Sequence, residues 1–253
     1  MPPFAPLIDY PRVKRVGSFQ ELVSTPLAQG INALCWERTL AGDFAEVVKL
    51  LGDGGGEPIT TLDEAKLLAL PISPSGRLAV DHMLADLRLL RDRELDPVLN
   101  CIHGYPRDEE PGPVVTDVFS FHADSAPIPA DTWLCTYCGP SSEGLRNEDA
   151  LRKVDDPAIR AELMKHYGEE QRFSRPPIGC SIPPHPEKGF SEYLRDHCYD
   201  LHYAATPRAQ PYSFGHFNLW RIATDYPDSP VPPCIHRAPA THPGDPARLL
   251  LIS

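Results

Sequence analysis

Apolar positions recur at helical spacing through much of the first hundred residues and at strand spacing after them. Ser18 and Glu21 have capping-box spacing and predict a short helix over 18–24. Ile31 to Trp36, after Gly30, is β-prone. Gly42 to Leu51 reads as a helix that stops at Gly52, before the linker Gly54-Gly55-Gly56. Thr61-Leu62-Asp63-Glu64 opens a helix to about Leu70. The longest helical pattern runs from Ser75 to about Leu95. Val80, Met83, Leu84, Leu87 and Leu90 share its apolar side, and Asp86, Arg88, Arg91 and Asp92 fill the polar one. From Pro97 the pattern turns to short strands: 97–103, 113–121, 132–137, 214–223, 234–238 and 248–252. Asp155 to Tyr167 reads as a helix with Pro157 in its first turn, 173–190 as a Pro/Gly-rich excursion, and 191–203 as a short helix or lid.

Thirty prolines among 253 residues sharpen this picture, because proline breaks helix interiors and cannot donate to a ladder. A mainly β chain with flanking helices (α+β) follows, not a helical bundle. The first 96 residues are too poor in helices to bury a core alone, so 1–253 is read as a single domain. In it 1–96 is a helical scaffold with the first strands, and 97–253 is the β core with an insertion at about 145–210. A formal charge of −11 gives no electrostatic reason to hold nucleic acid or an anionic membrane. No apolar run approaches the roughly 20 residues that span a bilayer. The opening MPPFAPLIDYPRVKR has no apolar signal core, so a cytoplasmic protein is expected.

Seven cysteines have no regular spacing and read as reduced, mostly buried thiols. Cys135 and Cys138 form a CxxC inside a β-prone run; in an ideal strand they face opposite ways and cannot chelate together. The segment Phe119-Ser120-Phe121-His122-Ala123-Asp124 carries more chemistry. Histidine and aspartate at i and i+2 of a strand lie on one face and can reach one metal ion. His236, in the short apolar run Pro233 to Pro239, supplies a third ligand from another strand. His-x-Asp with a distant His is the facial triad of non-haem Fe(II) oxygenases, which leaves coordination positions open. Arg248 follows His236 by twelve residues, across the turn-forming His242-Pro243-Gly244-Asp245-Pro246. A strand, turn and strand would set it on the neighbour of the His236 strand, where it can grip the far carboxylate of a metal-bound 2-oxo acid. Each element also has a plain structural reading: a surface His–Asp pair, a satisfied core histidine, an ordinary ion pair for Arg248. Trp133, Tyr137 and Asn218 are read as core, and Arg237 as a salt-bridge partner.

His122-Ala123-Asp124, then Thr136 to Glu143 (TYCGPSSE), His236 to Pro239 (HRAP) and Arg248 to Leu251 (RLLL) together resemble a bacterial domain-of-unknown-function family, as does Gly30 to Arg38. More broadly the chain is similar to the Fe(II)/2-oxoglutarate dioxygenases. That resemblance implies a double-stranded β-helix (jelly roll) over 97–253, iron held by His122, Asp124 and His236, and 2-oxoglutarate as co-substrate held by Arg248. Hydroxylation of a small-molecule substrate is the activity it implies. Two alternatives stay open: a cupin-like metal enzyme that does not use 2-oxoglutarate, and a catalytically silent β-sandwich that binds a ligand. Neither the substrate nor the oligomeric state is encoded in any motif.

Overall fold

The computed structural model describes residues 10–107, 112–173, 186–242 and 244–253. Short β-branched and aromatic runs between proline-rich turns form thirteen strands there. They are β1 (Val13–Val16), β2 (Ala33–Trp36), β3 (Ile59–Thr61), β4 (Val98–Ile102), β5 (Phe121–His122), β6 (Asp131–Cys138) and β7 (Glu143–Leu145). They continue with β8 (Ala150–Arg152), β9 (His202–Ala205), β10 (Tyr212–Ser213), β11 (Leu219–Ala223), β12 (Ile235–Arg237) and β13 (Arg248–Ile252). Two sheets result. The larger has the order β1-β2-β11-β6-β13-β4-β3, and the smaller β10-β7-β12-β5-β9-β8. Only the β1–β2 pair among these ladders is parallel. The fold is mainly β, with six α-helices among the described residues: α1 (Phe19–Ser24), α2 (Phe44–Leu51), α3 (Glu64–Leu68), α4 (Pro74–Arg91), α5 (Pro157–Phe173) and α6 (Pro186–Asp196). Among the described residues no helix is long and apolar enough to cross a membrane.

Period-two alternation divides the large sheet between two cores. Leu34, Leu99, Trp133, Cys135, Tyr137, Leu219, Leu249 and Leu251 pack against α2 and α4 on one face. Ala33, Cys35, Ile102, Leu134, Trp220, Ile222 and Leu250, the alternate residues, pack with Tyr212, Phe214 and Cys234 from the small-sheet side. The space between the sheets is therefore reached by the even-numbered positions 132, 134 and 136 of β6 and 248 and 250 of β13.

Capping residues set the helix starts. Ser18 accepts from the Glu21 amide, as its spacing predicts, while the Glu21 carboxylate accepts from Gly17. Asp43 and Ser73 cap α2 and α4 in the same way. Several expectations need correction. The helix expected to open at Thr61 starts at Glu64, because Thr61 ends β3 and the Asp63 side chain accepts from the Lys66 amide. The strand expected over 214–223 begins only at Leu219. The 113–121 strand is absent but for Phe121, because the Asp117 side chain accepts from the amides of Phe119 and Ser120 and folds the segment into a turn. The helix expected over 191–203 stops at Asp196. Cys198 then takes φ 57°, and the chain re-enters the small sheet as β9. Asp86 is not on a solvated face: it is 3 % exposed and binds Arg38 through two bonds of 2.7 and 2.8 Å. Finally, Cys135 and Cys138 both pack on the helix-side core, since a register shift opposite Leu249/Leu250 resets the alternation between them. Both are free thiols.

Within 145–210, β8 and β9 extend the small sheet beyond β5. α5 and α6 carry a satellite core of Val114, Val154, Leu163, Phe190, Tyr193 and Leu194. Residues 174–185 of the Pro/Gly-rich excursion lie outside the described residues.

Candidate metal centre

β5 ends formally at His122, but its extended course continues. The Ala123 amide donates to the Leu201 carbonyl at 3.0 Å, and the Asp124 carbonyl accepts from Asp225 at 2.7 Å. Two more residues of extended chain return Asp124 to the face of His122. On the neighbouring strand His236 is the direct register partner of His122, so both imidazoles rise from the same face. Their ring centroids are 4.7 Å apart. His122 Nε2 lies 3.8 Å from Asp124 Oδ1, and His236 Nε2 lies 3.7 Å from Asp124 Oδ2. The three ligand-type atoms all fall within 4.8 Å of one another. Among the described residues this is the one group of histidines, cysteines and carboxylates drawn together so closely.

The surroundings prepare these side chains as ligands. The Ser120 carbonyl can only accept, so its 2.8 Å contact places the His122 proton on Nδ1 and leaves the Nε2 lone pair facing Asp124. His236 Nδ1 faces the Cys234 carbonyl in the same way at 3.4 Å. Burial holds the His122 pKa below the ordinary imidazole value, with His236 adding to the effect. Burial alone would raise the Asp124 pKa, but His236, the Thr132 hydroxyl and His122 together outweigh it and hold that carboxyl low. A neutral imidazole and an ionised carboxylate are the states that bind a cation. The Thr132 hydroxyl donates to Asp124 Oδ2 at 2.6 Å from across the inter-sheet space.

Arg248 does not neighbour the His236 strand. β12 belongs to the small sheet, whereas β13 lies between β4 and β6 in the large one. The connection over 238–247 contains Pro239, Pro243 and Pro246, which cannot supply the ladder donors of a hairpin, and the chain crosses between sheets instead. Gly139 makes room for that arrival: at φ 75°, a Cβ there would lie 2.8 Å from the Arg248 Cα. The side chain nonetheless enters the inter-sheet space. Its Nη1 donates to Tyr105 Oη at 2.9 Å, and its Nη2 donates to Thr136 Oγ1 at 3.2 Å and to Ser142 Oγ. Ser142 precedes by two residues Gly144, the register partner of His236. Arg248 thus reaches the His236 face about 6–7 Å along the strand from His236.

That guanidinium is 2 % exposed, and its Nε has no hydrogen-bond partner. Among the described residues no carboxylate lies within ion-pair distance of it, and burial lowers its pKa. A buried cation without an anion is costly unless something else supplies the charge.

The other singled-out residues have structural partners. Trp133 and Tyr137 sit in the helix-side core, and the Tyr137 hydroxyl donates to Asp86. Asn218 is satisfied by the Phe214 carbonyl and the Arg38 amide. Arg237 pairs with Glu143 at 2.6 Å and stacks over Phe121, on the side of the sheet away from His236. Sequence reasoning missed Thr132, Thr136, Ser142 and Tyr105. For the two threonines a signal existed, since both share the inward face of β6 at i and i+4; Ser142 and Tyr105 carry none. His202 lies in the run read from sequence as a short helix or lid and not as a metal site; the structure instead makes it the other register partner of His122, on β9.

Comparison of the chain with protein-family models, with curated proteins and with solved structures finds no match.

Proposed function

We propose that this protein is a non-haem oxygenase of the Fe(II)/2-oxoglutarate type, built on a double-stranded β-helix and hydroxylating a small-molecule substrate. The observation that carries the reading is a conjunction across one inter-sheet space: a His–Asp–His cluster with its ligand atoms converging, and a buried guanidinium with no carboxylate of its own. The fit to iron rests on donor chemistry. Two imidazole nitrogens and one carboxylate suit a divalent first-row metal and leave further positions for exogenous ligands. The fit to a dicarboxylate rests on the unsatisfied Nε of a buried cation that enters the same inter-sheet space as the cluster.

Strand order supports the jelly-roll reading. Leaving out β8 and β9, which extend the edge of the small sheet, eight strands from β4 to β13 alternate between the sheets in two groups, β4, β6, β11 and β13 in the large one and β5, β7, β10 and β12 in the small one. They stand as β11-β6-β13-β4 against β10-β7-β12-β5, an order in keeping with the double Greek key of a two-sheet jelly roll.

In this mechanism His122 and His236 from the small sheet, with Asp124 just beyond β5, would hold the metal. When bound, ferrous iron supplies dioxygen activation coupled to oxidative decarboxylation of the 2-oxo acid. Arg248 takes the distal carboxylate, with the hydroxyls of Ser142, Thr136 and Tyr105 grouped around it as further donors. The carbonyl of Ser120 keeps the His122 proton on Nδ1, so Nε2 remains free. Phe214, Trp220 and Leu134 give the inter-sheet space an apolar lining that excludes water.

The test is to titrate 2-oxoglutarate into the anaerobic Fe(II) protein while following visible absorption, and then to admit air and measure succinate. A charge-transfer band and succinate formation are expected. No band together with no succinate sinks the co-substrate assignment.

A further inference from the structure

We propose that Thr132 is a positioning residue for this metal site: its hydroxyl holds the Asp124 carboxylate in one orientation, so that a single oxygen is presented to the ion. The inference rests on the metal-binding reading above and adds a device that controls it.

Asp124 needs such a device. It lies beyond the last formal residue of β5, and its side chain is 32 % exposed, the least buried of the three ligands. The terminal torsion of an aspartate is broad, so nothing intrinsic fixes the plane of its carboxylate. Thr132 lies on a rigid element by contrast. Its strand is paired on both sides, Thr132 standing opposite Ile222, and the next residue, Trp133, exchanges two backbone hydrogen bonds with Ser253 at 2.8 and 2.9 Å. Thr132 is 8 % exposed, and its β-branched side chain is stiff at χ1. Its short bond to an anionic acceptor is of the charge-assisted kind.

The bond selects between the two carboxylate oxygens. Each oxygen faces one histidine, Oδ1 at 3.8 Å from His122 Nε2 and Oδ2 at 3.7 Å from His236 Nε2, but only Oδ2 accepts a hydrogen bond, from Thr132, among the described residues. A carboxylate pinned through Oδ2 offers Oδ1 as its free donor. Gripping a metal with both oxygens would consume a position that a chelating co-substrate and dioxygen require. The anchoring hydroxyl comes from the large sheet and the ligands come from the small one, so Thr132 also ties the two sheets at the metal.

Co(II), which does not turn over with dioxygen in such sites, is the probe. Its affinity and its ligand-field absorption are measured for wild type, Thr132→Val and Thr132→Ser, together with the thermal unfolding of each metal-free protein. Valine keeps the shape and removes the donor; serine keeps the donor. The expected result is a loss of about 10–100-fold in Co(II) affinity for Thr132→Val, the scale for removing a ligand's own hydrogen-bond partner. An altered Co(II) spectrum should accompany it, with both properties largely restored in Thr132→Ser. Wild-type affinity and spectrum in Thr132→Val overturn the positioning role and leave the metal reading standing. An equal loss in Thr132→Ser also overturns it, because the methyl group and not the hydroxyl would then be responsible. Failure of the wild type to bind Co(II) overturns the metal reading and this inference with it.

Discussion

The state of one proton governs the candidate site. His122 is buried beside a second imidazole, and both facts disfavour its charged form. Its folded pKa lies below that of the unfolded chain, so the unfolded state binds more protons as pH falls through about 6.5. Stability from this group is therefore present above that value and is lost on further acidification. Asp124 works lower on the scale: its carboxyl is held below the ordinary range, so its contribution persists above about 4 and is lost beneath that. Between the two values the carboxylate stays charged while the imidazole takes up its proton. Metal and proton then compete for Nε2. Because burial lowers the His122 pKa, Co(II) affinity should stay level through the ordinary imidazole value of about 6.5 and fall only at lower pH, as a pH series of binding titrations would read. A response that stays flat down to about pH 4, where the carboxylate itself begins to titrate, would mean that His122 is no ligand. A second substitution separates site from fold. Asp124→Ala should abolish metal binding while lowering the metal-free unfolding midpoint only modestly, through loss of the Thr132 and histidine interactions of a side chain that is one-third exposed.

Strand β6 shows how one element serves the site and the core together. Its inward residues Thr132 and Thr136 hold Asp124 and Arg248, four residues or about 13 Å apart along the strand. Its outward residues Trp133, Cys135 and Tyr137 sit in the helix-side core. There Tyr137 donates to Asp86 at 2.6 Å, and Asp86 also takes both ends of the Arg38 guanidinium. This network pins α4 to the central strand. Asp86→Ala would leave a buried guanidinium and a buried phenol without their acceptor, and denaturant unfolding should show a loss of about 3–5 kcal/mol. A loss under about 1 kcal/mol would show that the cluster is solvated. The same strand explains what was legible. The α1 start followed from Ser18, whose partner lies three positions away, whereas the box read at Thr61 fell on the end of β3 and Asp63 caps α3 instead. The orientation of Cys138 did not follow from local spacing, because the register shift beside β13 depends on a strand more than a hundred residues later. Asp86 was misjudged for a similar reason: its charge matches a solvated helix face, and the Arg38 that neutralises it lies 48 residues earlier.

At the scale of the whole molecule, the convergence of His122, Asp124 and His236 was readable because strand periodicity is short-ranged and three residue types sufficed. The sheet assignment of Arg248 was not readable, since it depends on which sheet a proline-rich connection leads to. That assignment sets the last prediction. A guanidinium 2 % exposed, with an unsatisfied Nε and no carboxylate beside it, contributes desolvation cost without an ion pair to offset it. If Arg248 existed for stability, removing it would cost several kcal/mol, as for Asp86. If it awaits an anion, the benefit appears only with the ligand present. Binding to the folded state alone stabilises by about 2.7 kcal/mol at a hundred times the dissociation constant. For a chain of this size that raises the unfolding midpoint by about 5–10 °C. Calorimetry on the Co(II)-loaded wild type should show that rise with 2-oxoglutarate. Arg248→Met should show almost none, although Co(II) alone still protects it. Truncating one member of a buried pair costs about 2–5 kcal/mol of affinity, enough to remove the shift at the same ligand concentration. Without ligand, Arg248→Met should unfold close to wild type, the relief of an unpaired charge balancing the hydroxyls of Thr136 and Ser142 left behind. A metal-free variant that loses several kcal/mol, with the same 2-oxoglutarate shift as wild type, would make Arg248 a structural residue and place the carboxylate elsewhere.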